Sequence, residues 1–292
     1  MNIKNLLLLL IFLTFILINL GGHVHNTGSS LACPDWPLCH NQIMPEMIGG
    51  VLIEHSHRLL ATMVGFLTLL AVFMVKKGGQ EATVSFAALA MVIIQGILGG
   101  LTVIYKLPPL VSIAHLGLSM IFFCTLIYFH HLLTPSKKIE VPRFLKISLT
   151  TTLCLTYSQI LLGAFIRHNG FGTICGLGYA NSFLCSNHLF PGSYGEILHM
   201  LHRFLGFMLT IMLISLNIYI IKFNKKRFLI LPALSGLIIL IQIGLGIMTI
   251  GSGFRPVITM LHLGGAASLL ALLWKMQLSL KCSVRIQVEN KF

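Results

Sequence analysis

Four histidines within long apolar segments are the side chains of this sequence best suited to chemistry. Two of them are followed directly by an arginine, and the other two stand alone on later apolar segments. The two pairs and the two single residues are His57-Arg58, His202-Arg203, His115 and His262. An ionisable side chain in a membrane-length segment is a candidate functional residue, because its burial in lipid is costly. One such histidine is usually a packing residue, but four at matched spacing indicate metal ligation.

Depth and donor type together favour haem as the bound group. His57 and His115 each lie about five or six residues into an apolar segment, which predicts both imidazoles roughly 8 to 9 Å below one membrane surface. Two imidazoles at one level can hold a planar metal complex between them. Because no buried cluster of aspartates or cysteines accompanies them to complete a zinc site, we predict axial ligation of haem.

The arginines that follow His57 and His202 have two interpretations. A guanidinium near the outer membrane surface can bind carboxylates in fork geometry, so Arg58 and Arg203 are candidate contacts for haem propionates. Alternatively, each side chain extends to the lipid headgroups and has no ligand.

One acidic residue distinguishes the two halves of the chain. Glu54 precedes His57 by one helical turn and shares its helix face, whereas the corresponding residue of the second half is His199. Glu196 lies on another face and does not replace it. Since an acid beside a haem can exchange protons, we predict a reactive first site and an electron relay in the second half. The alternative is that Glu54 is an interfacial carboxylate that caps the start of its helix.

The composition indicates that these residues belong to an all-α integral membrane protein. Of the 292 residues, 56% are hydrophobic and 9% are charged, and the mean hydropathy is +0.90. Backbone in lipid must satisfy its own hydrogen bonds, which helices do within one segment. Transmembrane barrels, disordered chains and nucleic-acid-binding domains are thereby excluded. Eight spans are predicted near 5–22, 51–75, 82–104, 110–133, 146–166, 197–221, 228–250 and 257–278.

The basic residues predict the orientation of these spans. Most of the 20 lysines and arginines fall at one set of helix ends, which the positive-inside rule assigns to the cytoplasm. Both termini are then cytoplasmic, and a bacterial plasma membrane is the simplest location. The first apolar run is long for a signal-peptide core and is not followed by an A-x-A-like cleavage site, so we expect it to be retained as a helix. The net charge of +13 is therefore mainly a topology signal.

An internal repeat divides the chain into two units of four helices. The segment 92–118 matches 239–265 at one constant offset, and the shared residues include Gln95 and Gln242, Gly99 and Gly246, and His115 and His262. Because four is even, both units insert in the same sense, which predicts a pseudo-two-fold axis along the membrane normal. The predicted bundles are 1–133 and 146–292, joined by a cytoplasmic linker at 134–145.

The remaining polar residues carry weaker signals. Cys33 and Cys39, and Cys175 and Cys185, lie in the two long outer loops, where an oxidising exterior permits disulfides with either a structural or a redox role. The glutamines that precede a glycine by four residues are expected to be packing contacts between helices. We expect solvated loop residues at His23, His25, His40, His55, His168 and His188.

These motifs resemble the haem A synthases, which supply cytochrome c oxidase with its haem. The resemblance is carried by CPDWPLCH at 33–40, IEHSHR at 53–58, LHR at 201–203 and the surroundings of His115 and His262. It covers essentially the whole chain. The interval between Cys175 and Cys185 departs from the C-P-x-x-P-L-C pattern of relatives that have a second pair, since it is longer and richer in glycine.

The resemblance implies a reaction that the residues alone do not reveal. This reaction is oxidation of the C8 methyl group of haem O to a formyl group, with water as the oxygen source, to give haem A. His57 and His115 would flank haem O, His202 and His262 would hold a haem b, and Glu54 would be the catalytic carboxylate. Cys33 and Cys39 would correspond to the first cysteine pair of the family. Functional links to haem O synthase and to cytochrome c oxidase assembly would follow.

Two other functions explain part of the pattern. A diheme membrane cytochrome b that carries electrons without chemistry on the haem would use the same four histidines, but it gives no reason for Glu54 in only one half. A transporter built on parallel repeats would use the histidines as a proton or metal path, and it predicts a colourless protein.

Overall fold

The computed structural model describes residues 2–134, 138–179, 184–185, 191–223 and 230–282. Within them are eight long helices, each long and apolar enough to cross a membrane, which confirms the predicted fold class. They are α1 (Ile3–Asn26), α2 (Gly49–Phe73), α3 (Gln80–Ile104), α4 (Pro109–Leu133), α5 (Arg143–His168), α6 (Tyr194–Phe223), α7 (Ile230–Gly251) and α8 (Pro256–Ser279). The basic stretch 224–229, which the orientation argument used, and the tail 283–292 lie outside the described residues.

Most helices begin or end a few residues beyond the predicted spans, because polar caps and prolines extend them past the apolar run. Pro109 and Pro256 start α4 and α8, where a missing N–H costs nothing. At the start of α6 the Glu196 carboxylate accepts from Gly192 N and Ser193 N, and Ser193 Oγ accepts from Glu196 N. This is a capping box, so the second half uses its acidic residue to cap a helix.

Two short strands at the inner end were not predicted. β1 (Ile139–Val141) lies within the predicted linker and pairs in parallel with β2 (Leu280–Cys282), which follows α8. A three-residue strand has too little sequence pattern to be recognised before its distant partner is known. The pairing fixes the linker against the end of the last helix.

The helices pack as two neighbouring groups of four. In the first group α1 contacts α2 and α4, and α3 contacts α2 and α4; in the second α5 contacts α6 and α8, and α7 contacts α6 and α8. The groups meet where α1 contacts α8, α4 contacts α5, and α4 contacts α8. These neighbours are those that a duplicated four-helix unit requires. The two-fold axis itself stays a prediction.

Apolar side chains fill both groups and the contact between them. The contact cluster comprises Ile18, Met120, Phe123, Ile160, Ala267 and Leu270. Beside it, Trp274 Nε1 donates to Cys124 O at 2.8 Å, which ties α8 to α4. Many large apolar side chains instead point outward, as the surface of a membrane protein requires. Examples are Phe12, Phe73 and Phe86.

The loop between α1 and α2, which the basic residues predict to be an outer loop, is fastened to the helix bundle at Trp36. Its indole packs against Gly100 of α3, where an added Cβ would lie only 2.8 Å from Trp36 Cδ2. Only glycine allows the ring to approach so closely. The loop is therefore held over the outer end of the first group by a contact between a large aromatic and a bare backbone.

Gly100→Ala is expected to displace Trp36 and to destabilise the protein by about 1–3 kcal/mol, since overpacking forces the ring to move. The measurement is the fluorescence of Trp36 in a Trp274→Phe background, with thermal unfolding in parallel. Gly96→Ala is the matched control, because a Cβ there meets nothing within 4 Å. Identical emission spectra for the two variants would contradict the contact.

Candidate functional site

One large cavity connects the residues that the sequence singled out. Its volume is about 1320 Å³, and all eight helices contribute to its wall. This exceeds the roughly 300–1000 Å³ of an ordinary small-molecule pocket. The lining includes all the residues predicted to act on a ligand, namely Glu54, His57, Arg58, His115, His202, Arg203 and His262.

The histidines lie in the two predicted pairs. His57 on α2 lies near His115 on α4, and His202 on α6 lies near His262 on α8. Each imidazole lies against a glycine of the preceding helix, and a Cβ on that glycine would stand 3.0 to 3.5 Å from the histidine Cε1. The four glycines are Gly21, Gly99, Gly163 and Gly246. Side chains at these positions would push the rings into the cavity.

Glutamines bond to two of the histidine backbones. Gln95 Nε2 donates to His115 O at 2.8 Å, and Gln159 Nε2 donates to His202 O at 2.6 Å. Sequence reasoning treated these glutamines as packing contacts between helices, and it missed that the bonds end on the candidate ligands. It also missed the role of the glycines. The Gln-x-x-x-Gly spacing signalled three of these glycines, but nothing in the sequence signalled Gly21.

The two histidine pairs each fit a planar metal complex. The Nδ1 atoms of His57, His115, His202 and His262 are buried, and no described residue meets the geometry of a hydrogen bond to them. The donor set in each half is two imidazoles, which suits haem iron. The glycine contacts leave room for the rings, and the wall of the cavity is mainly apolar. A planar apolar group with a metal centre is what such a space accommodates.

Glu54 is buried in a network with the first outer loop. Only 4% of the residue is exposed, and its carboxylate accepts from Cys33 N at 2.8 Å and from Arg58 Nη2 at 2.6 Å. The Arg58 guanidinium also donates to the carbonyls of Cys33, Asp35 and Leu38. Arg58 was predicted to contact a haem propionate, but its guanidinium is already hydrogen-bonded to the protein. The Glu54 carboxylate is therefore ion-paired with Arg58.

The loop that Arg58 holds is closed by a disulfide between Cys33 and Cys39. Asp35 organises its turn, because its carboxylate accepts from His40 N and Asn41 N at 2.7 Å each. The Asn41 N–H, with the His40 N–H and the Arg58 charge, lowers the pKa of Asp35 below its ordinary value. The turn therefore keeps these bonds at neutral pH.

Four histidines expected in solvated loops have other positions. His55 is 4% exposed; its Nε2 lies 2.9 Å from Ile43 O, and its ring lies within 4.8 Å of the Cys33 and Cys39 sulfurs. His25 and His168 lie in the last turns of α1 and α5 with ring centroids 4.3 Å apart, and both line the cavity. The loop prediction was wrong for His25 and His168, and also for His23, because α1 and α5 extend beyond the apolar runs. His55 lies within its predicted span and is buried beside the Cys33 and Cys39 sulfurs. His188 lies outside the described residues.

The second half is built differently around its arginine. His199 occupies the position of Glu54, and its Nε2 lies 3.2 Å from Gly172 O. Arg203 Nη1 donates to Leu184 O, while Nε and Nη2 of the same guanidinium are buried and have no partner among the described residues. A second disulfide joins Cys175 to Cys185 in the outer loop, despite the unusual interval between them. The half that lacks the acid thus retains a guanidinium with free donors.

The fold and site define a class: helical membrane proteins of eight spans with two pairs of cavity-lining histidines. The chain belongs to the COX15-CtaA family, described as "Cytochrome oxidase assembly protein", whose model matches residues 4–274. It is 31% identical to the Heme A synthase of Alkalihalophilus pseudofirmus, over 68% of this chain and 70% of that protein. It is 28% identical to the Heme A synthases of Bacillus licheniformis, over 83% of both chains, and Staphylococcus carnosus, over 89% and 88%.

The glycine contacts lead to a test of the second histidine pair. Gly163→Val is expected to displace the His202 ring, because a Cβ there would already lie 3.1 Å from its Cε1. Haem bound through His202 should be largely lost, which the Soret absorbance per mole of purified protein measures. Gly244→Val is the control, since a Cβ at that position meets nothing within 4 Å. Equal haem content in the two variants would contradict the proposed ligand geometry.

Proposed function

We propose that this chain is a haem A synthase, an oxidoreductase that converts the C8 methyl group of haem O to a formyl group. One observation carries the proposal beyond the family match: two matched histidine pairs line one cavity, and a buried carboxylate, Glu54, lies beside only the first. An electron carrier gives no reason for an acid beside only one of two haems, whereas an enzyme that acts on one haem with the help of another does.

The asymmetry supports an assignment of the two halves. In 1–133, His57 and His115 hold the substrate haem O, and in 146–292, His202 and His262 hold haem b. Haem b supplies reversible one-electron chemistry when bound, so the second half provides an exit for electrons. The four histidines orient the two groups within one cavity, and its apolar wall limits the access of water.

Glu54 serves as the proton acceptor in this proposal. Conversion of a methyl group to an aldehyde removes hydrogens as protons and electrons and adds an oxygen, which water supplies. The Arg58 guanidinium and the Cys33 N–H fix both oxygens of the Glu54 carboxylate, so the group is oriented before substrate binds. The loop closed by Cys33 and Cys39 covers this carboxylate from the outside.

The proposed setting is the plasma membrane of a bacterium, with both termini in the cytoplasm. The distribution of basic residues supports this orientation, and it puts the histidine pairs nearer the outer surface. The substrate then comes from a haem O synthase, and the product haem A goes to the assembly of cytochrome c oxidase.

Glu54→Gln tests the proposed role of the acid. We expect haem A formation to fall by about 100-fold or more, the usual contribution of a general base, while haem b and haem O remain bound. The measurement is acid-acetone extraction and chromatography of membranes from cells that make haem O and carry the variant as their only copy of the gene.

Glu46→Gln is the matched control, because Glu46 is an exposed carboxylate of the same outer loop and does not line the cavity. It should form haem A at the parental rate. Parental activity in Glu54→Gln would overturn the role of Glu54. Extracts that contain only haem b, with haem A formation unaffected by loss of the gene, would overturn the synthase function and favour a diheme cytochrome b.

A further inference from the structure

The arginines that line the cavity are neutralised in one half and not in the other. The ion pair between Arg58 and Glu54 is the one ion pair found in the described part of the chain. Arg167 and Arg203, both in the second half, also line the cavity. Neither has an acidic partner among the described residues.

Arg167 lies in the last turn of α5, at the outer end of the cavity. Its guanidinium carbon is 5.7 Å from the centroid of the Phe254 ring, which holds the group by a cation–π contact. Its Nε is buried and has no hydrogen-bond partner in the described part of the chain. Its nearest ionisable neighbours, His25 and His168, are bases and supply no negative charge.

Arg203 and Arg167 border the same part of the cavity. Gly172 connects them, because its carbonyl oxygen contacts His199, one turn before Arg203, and a Cβ on it would lie 3.9 Å from Arg167 Cδ. Arg203 Nη1 has Leu184 O and Met200 Sδ as partners, whereas no described residue accepts from its Nε or Nη2. Two guanidiniums therefore present unused donors to one space.

Both arginines are half-buried, and the N–H donors that no described residue accepts from have lost water, so an anion that accepts from them is favoured. The one acidic side chain among the described residues that line the cavity, Glu54, is already paired with Arg58. The compensating charge must therefore come with the ligand. Two planar guanidiniums match two carboxylates, each of which accepts hydrogen bonds in fork geometry.

We propose that Arg167 and Arg203 together form a clamp for the two propionate groups of the tetrapyrrole bound between His202 and His262. The identity of that ligand as haem rests on the proposed function. Arg167 is then a residue that binds a propionate. The sequence predicted one propionate contact in each half, whereas here Arg167 and Arg203 both contribute to the second half.

The clamp gives the two halves different affinities. In the first half the Arg58 guanidinium is bonded to Glu54 and to loop carbonyls, so the haem there is held by its histidines and by apolar contact. In the second half two charge-assisted contacts are added. A substrate must enter and a product must leave, whereas a resident electron carrier must stay, and this difference in retention serves both needs.

The test uses the purified full-length holoprotein in detergent with excess apomyoglobin as haem acceptor. Arg167→Gln and Arg203→Gln should each release haem b about tenfold faster than the parental chain, as expected for loss of a hydrogen-bonded charge. Release of the haem held by His57 and His115 should not change. Arg255→Gln is the control, because this exposed arginine at the outer end of α8 does not line the cavity. Parental release rates in Arg167→Gln would overturn the clamp.

A second experiment needs no variant, and it tests the clamp even if Arg167→Gln fails to fold. The parental chain is loaded with haem b or with its dimethyl ester, in which both propionates lack charge. The ester should leave about tenfold faster or more, and equal retention of the two would contradict the clamp. Haem A formation is measured separately: a clamp without haem A formation would refute only the synthase function, and haem A formation without the clamp would refute only this inference.

Discussion

Close contact between imidazole rings and bare helix backbone is the constraint on which the rest of this structure depends. Each of the four histidines that line the cavity lies against a glycine of the preceding helix, and at Gly21 and Gly163 even an added Cβ would crowd the ring. In lipid, where water cannot satisfy a misplaced polar group, a ring must be fixed by its neighbours. The glycines and the glutamine bonds to the histidine backbones provide that fixation.

On this common scaffold the two halves differ in how charge is balanced. In the first, Glu54 and Arg58 neutralise each other and join α2 to the loop of Cys33 and Cys39. In the second, histidine replaces the acid and the arginines keep unused donors. In the proposed function, the first half thus has a proton acceptor and the second half has affinity for an anionic ligand. The different roles of the two halves in the proposed reaction follow from these few differences in sequence.

The features that could be predicted from the sequence are those that depend on local pattern. Eight apolar runs predict eight spans whatever their packing, and the repeat predicts which histidines correspond. The Arg58 network could not be predicted, because its partners are backbone carbonyls whose positions depend on the folded loop. The burial of His55 beside the disulfide and the unpaired state of Arg167 likewise depend on distant segments. Gly21 carries no motif, and only the arrangement of α1 against α2 reveals its contact.

The central claim is that each histidine pair holds its own haem, and the haem content of purified protein tests it most directly. Extracts of the parental chain should contain haem b together with haem O or haem A. His202→Ala should remove haem b selectively, whereas His57→Ala should remove the other haem. A purified chain without visible absorbance, or one in which both variants lose the same haem, would contradict the account.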